Sequence, residues 1–128
     1  MSVAIAVRER FRLIRLDLAR EPGHPQGSRL DRYALVLPLL PDGRIDRGEC
    51  QAHPEFCRVT RRSAQGEEAH GLIHRDADGA WIFDYGQAGP GPDVVFRLTE
   101  ERFAPGEYVS VRRDDGEHAY RVISLQPL

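Results

Sequence analysis

The sequence has no lysine and no asparagine, so all 18 of its basic residues are arginine. We interpret this mainly as the codon bias of a GC-rich genome, with selection for the bidentate geometry of arginine as the alternative. No apolar run approaches the ~18 residues of a membrane span, because arginine or aspartate interrupts each one. The segment MSVAIAVRERFRL places its charges after a short apolar stretch, the reverse of a signal peptide. We therefore expect a soluble, cytoplasmic protein without a membrane partner.

The charge and length of the chain limit the class of protein, the number of domains and the kind of partner. The 128 residues carry a net charge of −2, with 41% hydrophobic and 30% charged residues, which is typical of an ordinary globular protein. This length fits one domain, so we expect a single domain over residues 1–128. A slightly acidic chain attracts polyanions weakly at long range, which argues against nucleic acid as the partner.

Short apolar segments separated by turn residues predict strands along most of the chain. In FRLIRLDLA (11–19) the alternation changes parity at Ile14, which predicts a strand with a β-bulge there. A helix is the alternative, but the period of two at Val3, Ile5 and Val7 favours a strand. Further strands are expected at 32–40, 57–62, 70–75, 80–85, 93–98, 107–113 and 117–125. The turns DADG (76–79) and DDG (114–116) indicate hairpins.

One short helix interrupts this pattern. Asp46 followed by Glu49 resembles an N-cap with its reciprocal partner, so a helix is expected from Arg47 towards His53, limited by Pro54. With about seven antiparallel strands, the fold class is all-β. We predict a small antiparallel barrel or rolled sheet with one short helix, since closure removes exposed strand edges.

Three segments carry a resemblance: LAREPGHPQGS (18–28), AWIFDYG (80–86) and FAPGEYVSVRRDDG (103–116). With them the chain resembles a family of small uncharacterised proteins from GC-rich bacteria. The resemblance extends over most of the chain and implies one domain of bacterial origin. Its motifs are turn and core residues, so it implies no catalytic residue.

The stretch CQAHPEFC (50–57) holds both cysteines with a histidine between them. On a helix, Cys50, His53 and Cys57 share one face, and thiolates with imidazole suit zinc. Only three ligands are local, Pro54 disturbs the spacing, and a fourth would have to come from His24, His70, His74 or His118. The alternative is that both cysteines are free thiols buried in the core. We expect no cofactor and keep zinc at these three residues as the alternative.

Arginines are the most prominent surface feature. Arg58, Arg61, Arg62 and Arg75 fall on two strands that a short turn makes neighbours, and Arg8, Arg10 and Arg12 share one parity. Such a patch could bind phosphate or single-stranded nucleic acid if Trp81, with Phe83 and Tyr85, supplied stacking. The alternative is that glutamates neutralise these arginines and that the aromatic row belongs to the core.

No nucleotide-binding loop, dinucleotide fingerprint or nucleophile elbow occurs in the sequence. The prediction is therefore a non-catalytic module for a small ligand or a protein, with EPGHPQGS (21–28) and GQAGPGP (86–92) as the loops of a ligand mouth. Exposed sheet edges would make a homodimer the alternative to a monomer.

Overall fold

The computed structural model describes residues 10–128, without the side chain of Thr99. Eight antiparallel strands form one closed barrel, which confirms the predicted all-β class, with eight strands rather than about seven. The strands are β1 (Phe11–Leu18), β2 (Ser28–Pro38), β3 (Arg58–Arg62), β4 (Glu68–Arg75), β5 (Trp81–Asp84), β6 (Asp93–Val95), β7 (Tyr108–Arg113) and β8 (Gly116–Pro127). The helices are α1 (Arg47–Ala52) and the 3-10 helices Pro54–Phe56 and Leu98–Glu100.

Each strand pairs with the next along the chain, and β1 closes the barrel by pairing with β8. Between β3 and β4, β4 and β5, and β7 and β8 this order follows from connections of two to five residues, which can only join antiparallel neighbours. In the DADG turn, the Asp76 carboxylate accepts the backbone N–H groups of Asp78 and Ala80 at 2.9 Å. Closure gives each strand two partners and leaves no long sheet edge among the described strands.

Connections alternate between the two ends of the barrel. One end, the helix end, carries α1, which begins where the Asp46 carboxylate accepts the N–H of Glu49, as expected. The opposite end, the loop end, carries the loops 19–27, 63–67 and 85–92 and the turn at 114–115. Both segments predicted to form a ligand mouth therefore lie at the loop end.

Side chains fill the barrel interior. In β1, Ile14, Leu16 and Leu18 point inwards, whereas Phe11 has the other parity and is buried in edge contact with Phe56. The bulge expected near Ile14 lies one residue further along, between Arg15 and Leu16, and the unpaired residue, Ile123, belongs to β8. The period-two segment at Val3, Ile5 and Val7, and Arg8, lie outside the described residues.

Candidate functional site: an arginine-rich outer face

The predicted zinc ligands lie at the helix end. Cys50 and Cys57 are buried free thiols, and the hydrogen bond that Cys50 donates to Cys57, together with burial, raises the pKa of the Cys50 thiol. Cys57 is also 3.9 Å from the His53 carbonyl, whereas the His53 ring packs beside Phe56. Within residues 10–128, no group of three or more His, Cys, Asp or Glu side chains is placed to hold a metal ion. Zinc at this place stays a prediction, and packing accounts for both thiols.

The arginines predicted to form one patch are divided among three environments. Neighbouring strands β3 and β4 do carry them, as expected, but Arg61 points into the barrel and contacts Asp93. Arg58 and Arg62 point outwards. Arg75 lies at the helix end, where its Nε donates to the Gly79 carbonyl at 3.3 Å.

Trp81 is 3% exposed and lies in the core, and so do the other two members of its row, Phe83 and Tyr85. The aromatic row therefore supplies no stacking surface beside the arginines. This removes one of the two elements on which the nucleic-acid alternative depended.

Buried charge occupies the loop end of the barrel interior. Asp93, 1% exposed, accepts the hydroxyl protons of Tyr33 at 2.7 Å and Tyr85 at 2.6 Å, and Arg61 lies 3.5 Å from its other oxygen. Burial and then the Asp93 charge raise the pKa of both tyrosines, so they remain donors at neutral pH. We call Asp93 and these three partners the Asp93 cluster.

A second buried group adjoins the first. The Asp31 carboxylate accepts from the Tyr120 hydroxyl at 2.8 Å and from Arg113 at 3.4 Å, and the Arg113 guanidinium also donates to the Tyr120 oxygen at 2.8 Å. The Tyr33 and Tyr120 rings meet edge to face at 4.8 Å, which joins the two groups. The polar atoms of the two groups are largely satisfied by each other. The side chains therefore fill the predicted ligand mouth at the loop end of the barrel.

The outer face of the barrel has a different charge arrangement. Register places Arg121, Asp17, Arg32, Arg62 and Glu68 opposite one another across β8, β1, β2, β3 and β4. We call these five residues the charged row. Asp17 is only 7% exposed and is held by Arg15 of the same strand at 3.0 and 3.3 Å.

Arg32 and Arg62 are directly opposed in the charged row. Within the part of the chain that the structure describes, neither side chain has a hydrogen bond or an ion pair. Like charges at directly opposed positions repel, because such pairs bring the Cβ atoms within roughly 5 Å. The two guanidinium groups therefore form a positive pair without an ion pair among the described residues, although Glu68 lies opposite Arg62 in register and lines the same cavity.

Next to this pair the surface is concave. Two adjoining cavities of about 360 and 380 Å³ share Leu13, Ala34 and Thr60, and we call the joined depression the outer groove. Ala34 lies between bulkier side chains on its own and neighbouring strands, so its small size makes the depression. The remaining lining residues include Arg15, Arg32, Arg58, Arg62, Glu68, Val36 and Leu72.

A histidine fastens one loop at the loop end. The two ring nitrogens of His118 lie 2.8 Å from a Glu21 oxygen and 2.9 Å from an Asp115 oxygen. Burial alone would lower the pKa of His118, but these two hydrogen bonds outweigh it and raise the pKa. A protonated ring donates on both sides, so it ties loop 19–27 to the turn between β7 and β8.

Sequence reasoning identified Arg62 and missed Arg32 and Arg121. Their strand segments were recognised, and in RYALVLPLL the parity of Tyr33, Leu35 and Leu37 already directs Arg32 outwards. The missing information was the register, which sets Arg32 opposite Arg62. No residue pattern signalled that Asp31 and Asp93 are buried, because Asp31 meets Arg113 and Asp93 meets Tyr33 from segments 82 and 60 residues away.

Comparisons of the chain with protein-family models, with curated proteins and with solved structures gave no match in any of the three. Among the described helices, none has the length and apolar character needed to cross a membrane. The geometry of the outer face is therefore the basis on which a function is inferred.

Proposed function

We propose that this protein is a non-catalytic binding module that holds an anionic ligand in the outer groove. The observation that carries the proposal is the directly opposed pair of Arg32 and Arg62 beside that groove, neither of which forms an ion pair within the described residues. A carboxylate or phosphate group placed between two guanidinium groups relieves their repulsion and accepts several charge-assisted hydrogen bonds.

The groove also favours a ligand with an apolar part. Leu13, Ala34 and Val36 line its floor, so a short hydrocarbon or ring system would bury there while its charged group reaches the arginines. Each cavity has a volume within the range of small-molecule sites. The two free thiols fit a reducing compartment, so we infer that the module acts in the cytoplasm.

The test uses the arginine side chains as reporters. In an NMR titration with octanoate, and separately with inorganic phosphate, we expect saturable shifts of the Arg32 and Arg62 Nε–Hε signals. Octanoate is expected to bind at least tenfold more tightly than phosphate, because only octanoate fills the apolar floor.

The variant R32A/R62A should abolish the saturable shifts. Its matched control is Arg97→Ala, an exposed arginine that lines neither cavity of the outer groove. Equal, unsaturable shifts at Arg97 and at Arg32, or unchanged binding by R32A/R62A, would show that the groove is not an anion site and would overturn the proposal.

A further inference from the structure

A third cavity lies on the opposite side of the charged row from the outer groove. It has a volume of about 500 Å³ and lies between loop 19–27 and the outer surface of β1, β7 and β8. We call it the loop groove. Its lining includes Arg20, Arg29, Arg121, Tyr108 and Ile123, none of which lines the outer groove.

Loop 19–27 is held in a defined shape. Glu21 and His24 exchange two backbone hydrogen bonds of 3.0 and 2.9 Å around Pro22 and Gly23, whose φ of +89° requires glycine. Gly27 approaches so close to the Leu18 carbonyl that a side chain there would collide with it. Because His118 also binds Glu21, the loop groove is built in advance of any ligand.

The loop groove is strongly positive. Arg20, Arg29 and Arg121 are all exposed, and none has a hydrogen bond or ion pair with another described side chain. The lining contains one carboxylate, Asp17, and Arg15 already occupies it. Three guanidinium groups without a carboxylate of their own match the multiple oxygens of a phosphate group.

An open aromatic ring lies beside these charges. Tyr108 is 57% exposed and pairs in register with Arg121. Phe96, the other aromatic among the exposed large apolar side chains, is covered by the Arg112 guanidinium at 5.1 Å. Tyr108 has no such cover within residues 10–128 and can accept a planar ring on its face.

We propose that the loop groove binds a nucleoside phosphate, with the base on Tyr108 and the phosphate held by Arg20, Arg29 and Arg121. Stacking on an exposed tyrosine and bidentate contacts from arginine are the two interactions that recognise this class of ligand. The ligand can be a free nucleotide or a nucleotide of a single RNA strand, because both present the same base and phosphate. This site is separate from the outer groove and does not depend on it.

The experiment compares adenosine 5′-monophosphate, ribose 5-phosphate and adenosine by NMR, following the Tyr108 ring and the arginine Nε–Hε signals. Adenosine monophosphate is expected to bind about tenfold more tightly than ribose 5-phosphate, the difference being the stacked base. Adenosine alone is expected to give no saturable shift. Equal binding of the two phosphates, without movement of Tyr108, would overturn the proposal.

Two variants separate the contributions of ring and charge. Tyr108→Leu keeps an apolar side chain and should reduce the affinity for adenosine monophosphate to that for ribose 5-phosphate, whereas Phe96→Leu should leave both unchanged. Arg121→Gln should weaken both phosphates about tenfold. An unaltered affinity in Tyr108→Leu or Arg121→Gln contradicts the assignment.

The variant R32A/R62A distinguishes this site from the outer groove, since it should leave binding of adenosine monophosphate unchanged.

A tetranucleotide of adenosine RNA tests the source of the ligand. If it binds more than tenfold tighter than the monophosphate and loses that affinity in Tyr108→Leu, the nucleotide is recognised within a strand. Equal affinities, both dependent on Tyr108, identify a free nucleotide.

Discussion

Arg61 and Arg62 are consecutive residues of β3 with opposite environments. Arg61 points into the barrel, where Asp93 lies 3.5 Å from its guanidinium. Arg62 points outwards between Arg32 and Glu68 and forms no ion pair with a described residue. Alternation along a strand makes this division unavoidable, since neighbouring side chains lie on opposite faces. The same residue type therefore stabilises the fold on the inner face of β3 and is available to a ligand on its outer face.

Removing the carboxylate of the Asp93 cluster should lower the unfolding free energy more than any other change considered. Asp93→Ala leaves two tyrosine hydroxyl groups and the Arg61 charge without their acceptor, and breaking a buried charged pair costs about 3–5 kcal/mol. We expect that loss in urea unfolding. The exposed control Asp114→Ala should change the unfolding free energy by less than about 0.5 kcal/mol, because its carboxylate has no hydrogen bond or ion pair with a described residue.

If Asp93→Ala does not fold, Tyr85→Phe tests the same group more gently. It removes a single hydrogen bond and should cost about 1 kcal/mol. A loss indistinguishable from that of the Asp114 control in both variants would show that the cluster does not stabilise the barrel.

Replacing the inner arginine has the next largest expected effect. Arg61→Met keeps the apolar stem but leaves Asp93 with only its tyrosine donors, and an under-satisfied buried group costs about 1–3 kcal/mol. The effect should be smaller than that of Asp93→Ala, because Arg61 is partly exposed. The measurement is again urea unfolding, and an increase in stability would contradict it.

Titration of His118 should change stability near neutral pH. Its pKa is raised in the folded state, so its contribution is fully present below the unfolded pKa of about 6.5 and is lost as the pH rises through the folded value. The charged groups around the ring are Glu21, Asp115 and Arg113. We therefore expect the unfolding free energy to fall as the pH rises above about 6.5.

The variant His118→Gln checks this assignment, since it retains hydrogen-bonding capacity but cannot titrate. Its unfolding free energy should change less with pH above about pH 6.5 than that of the wild type. Identical slopes in His118→Gln and wild type would exclude His118 as the origin.

Much of the fold could be predicted from local patterns. The alternation in RYALVLPLL, the DADG turn and the Asp46 cap each act over a few residues, so their outcome depends little on the rest of the chain. Barrel closure was predicted in general terms, because a meander of this length otherwise leaves exposed edges.

The site could not be predicted in the same way, because it depends on register between distant segments. Arg32 meets Arg62, and Arg121 lies opposite Tyr108, only once the strands are aligned. The spacing of Cys50, His53 and Cys57 is a local pattern that is also produced by core packing. Local periodicity thus predicts which face a residue occupies, whereas pairs of side chains from different strands need the folded structure.

The smallest predicted effect concerns the outer arginine. Arg62→Ala relieves the repulsion with Arg32 and removes no ion pair with Glu68, so we expect a slight gain of a few tenths of a kcal/mol at low salt. The gain should disappear at about 0.5 M salt, because screening suppresses interactions between exposed charges. Urea unfolding at the two salt concentrations measures it, and R32A/R62A should be no more stable than either single variant. A loss above 1 kcal/mol would show that Arg62, like Arg61, serves the fold, and the contrast between the two faces of β3 would then disappear.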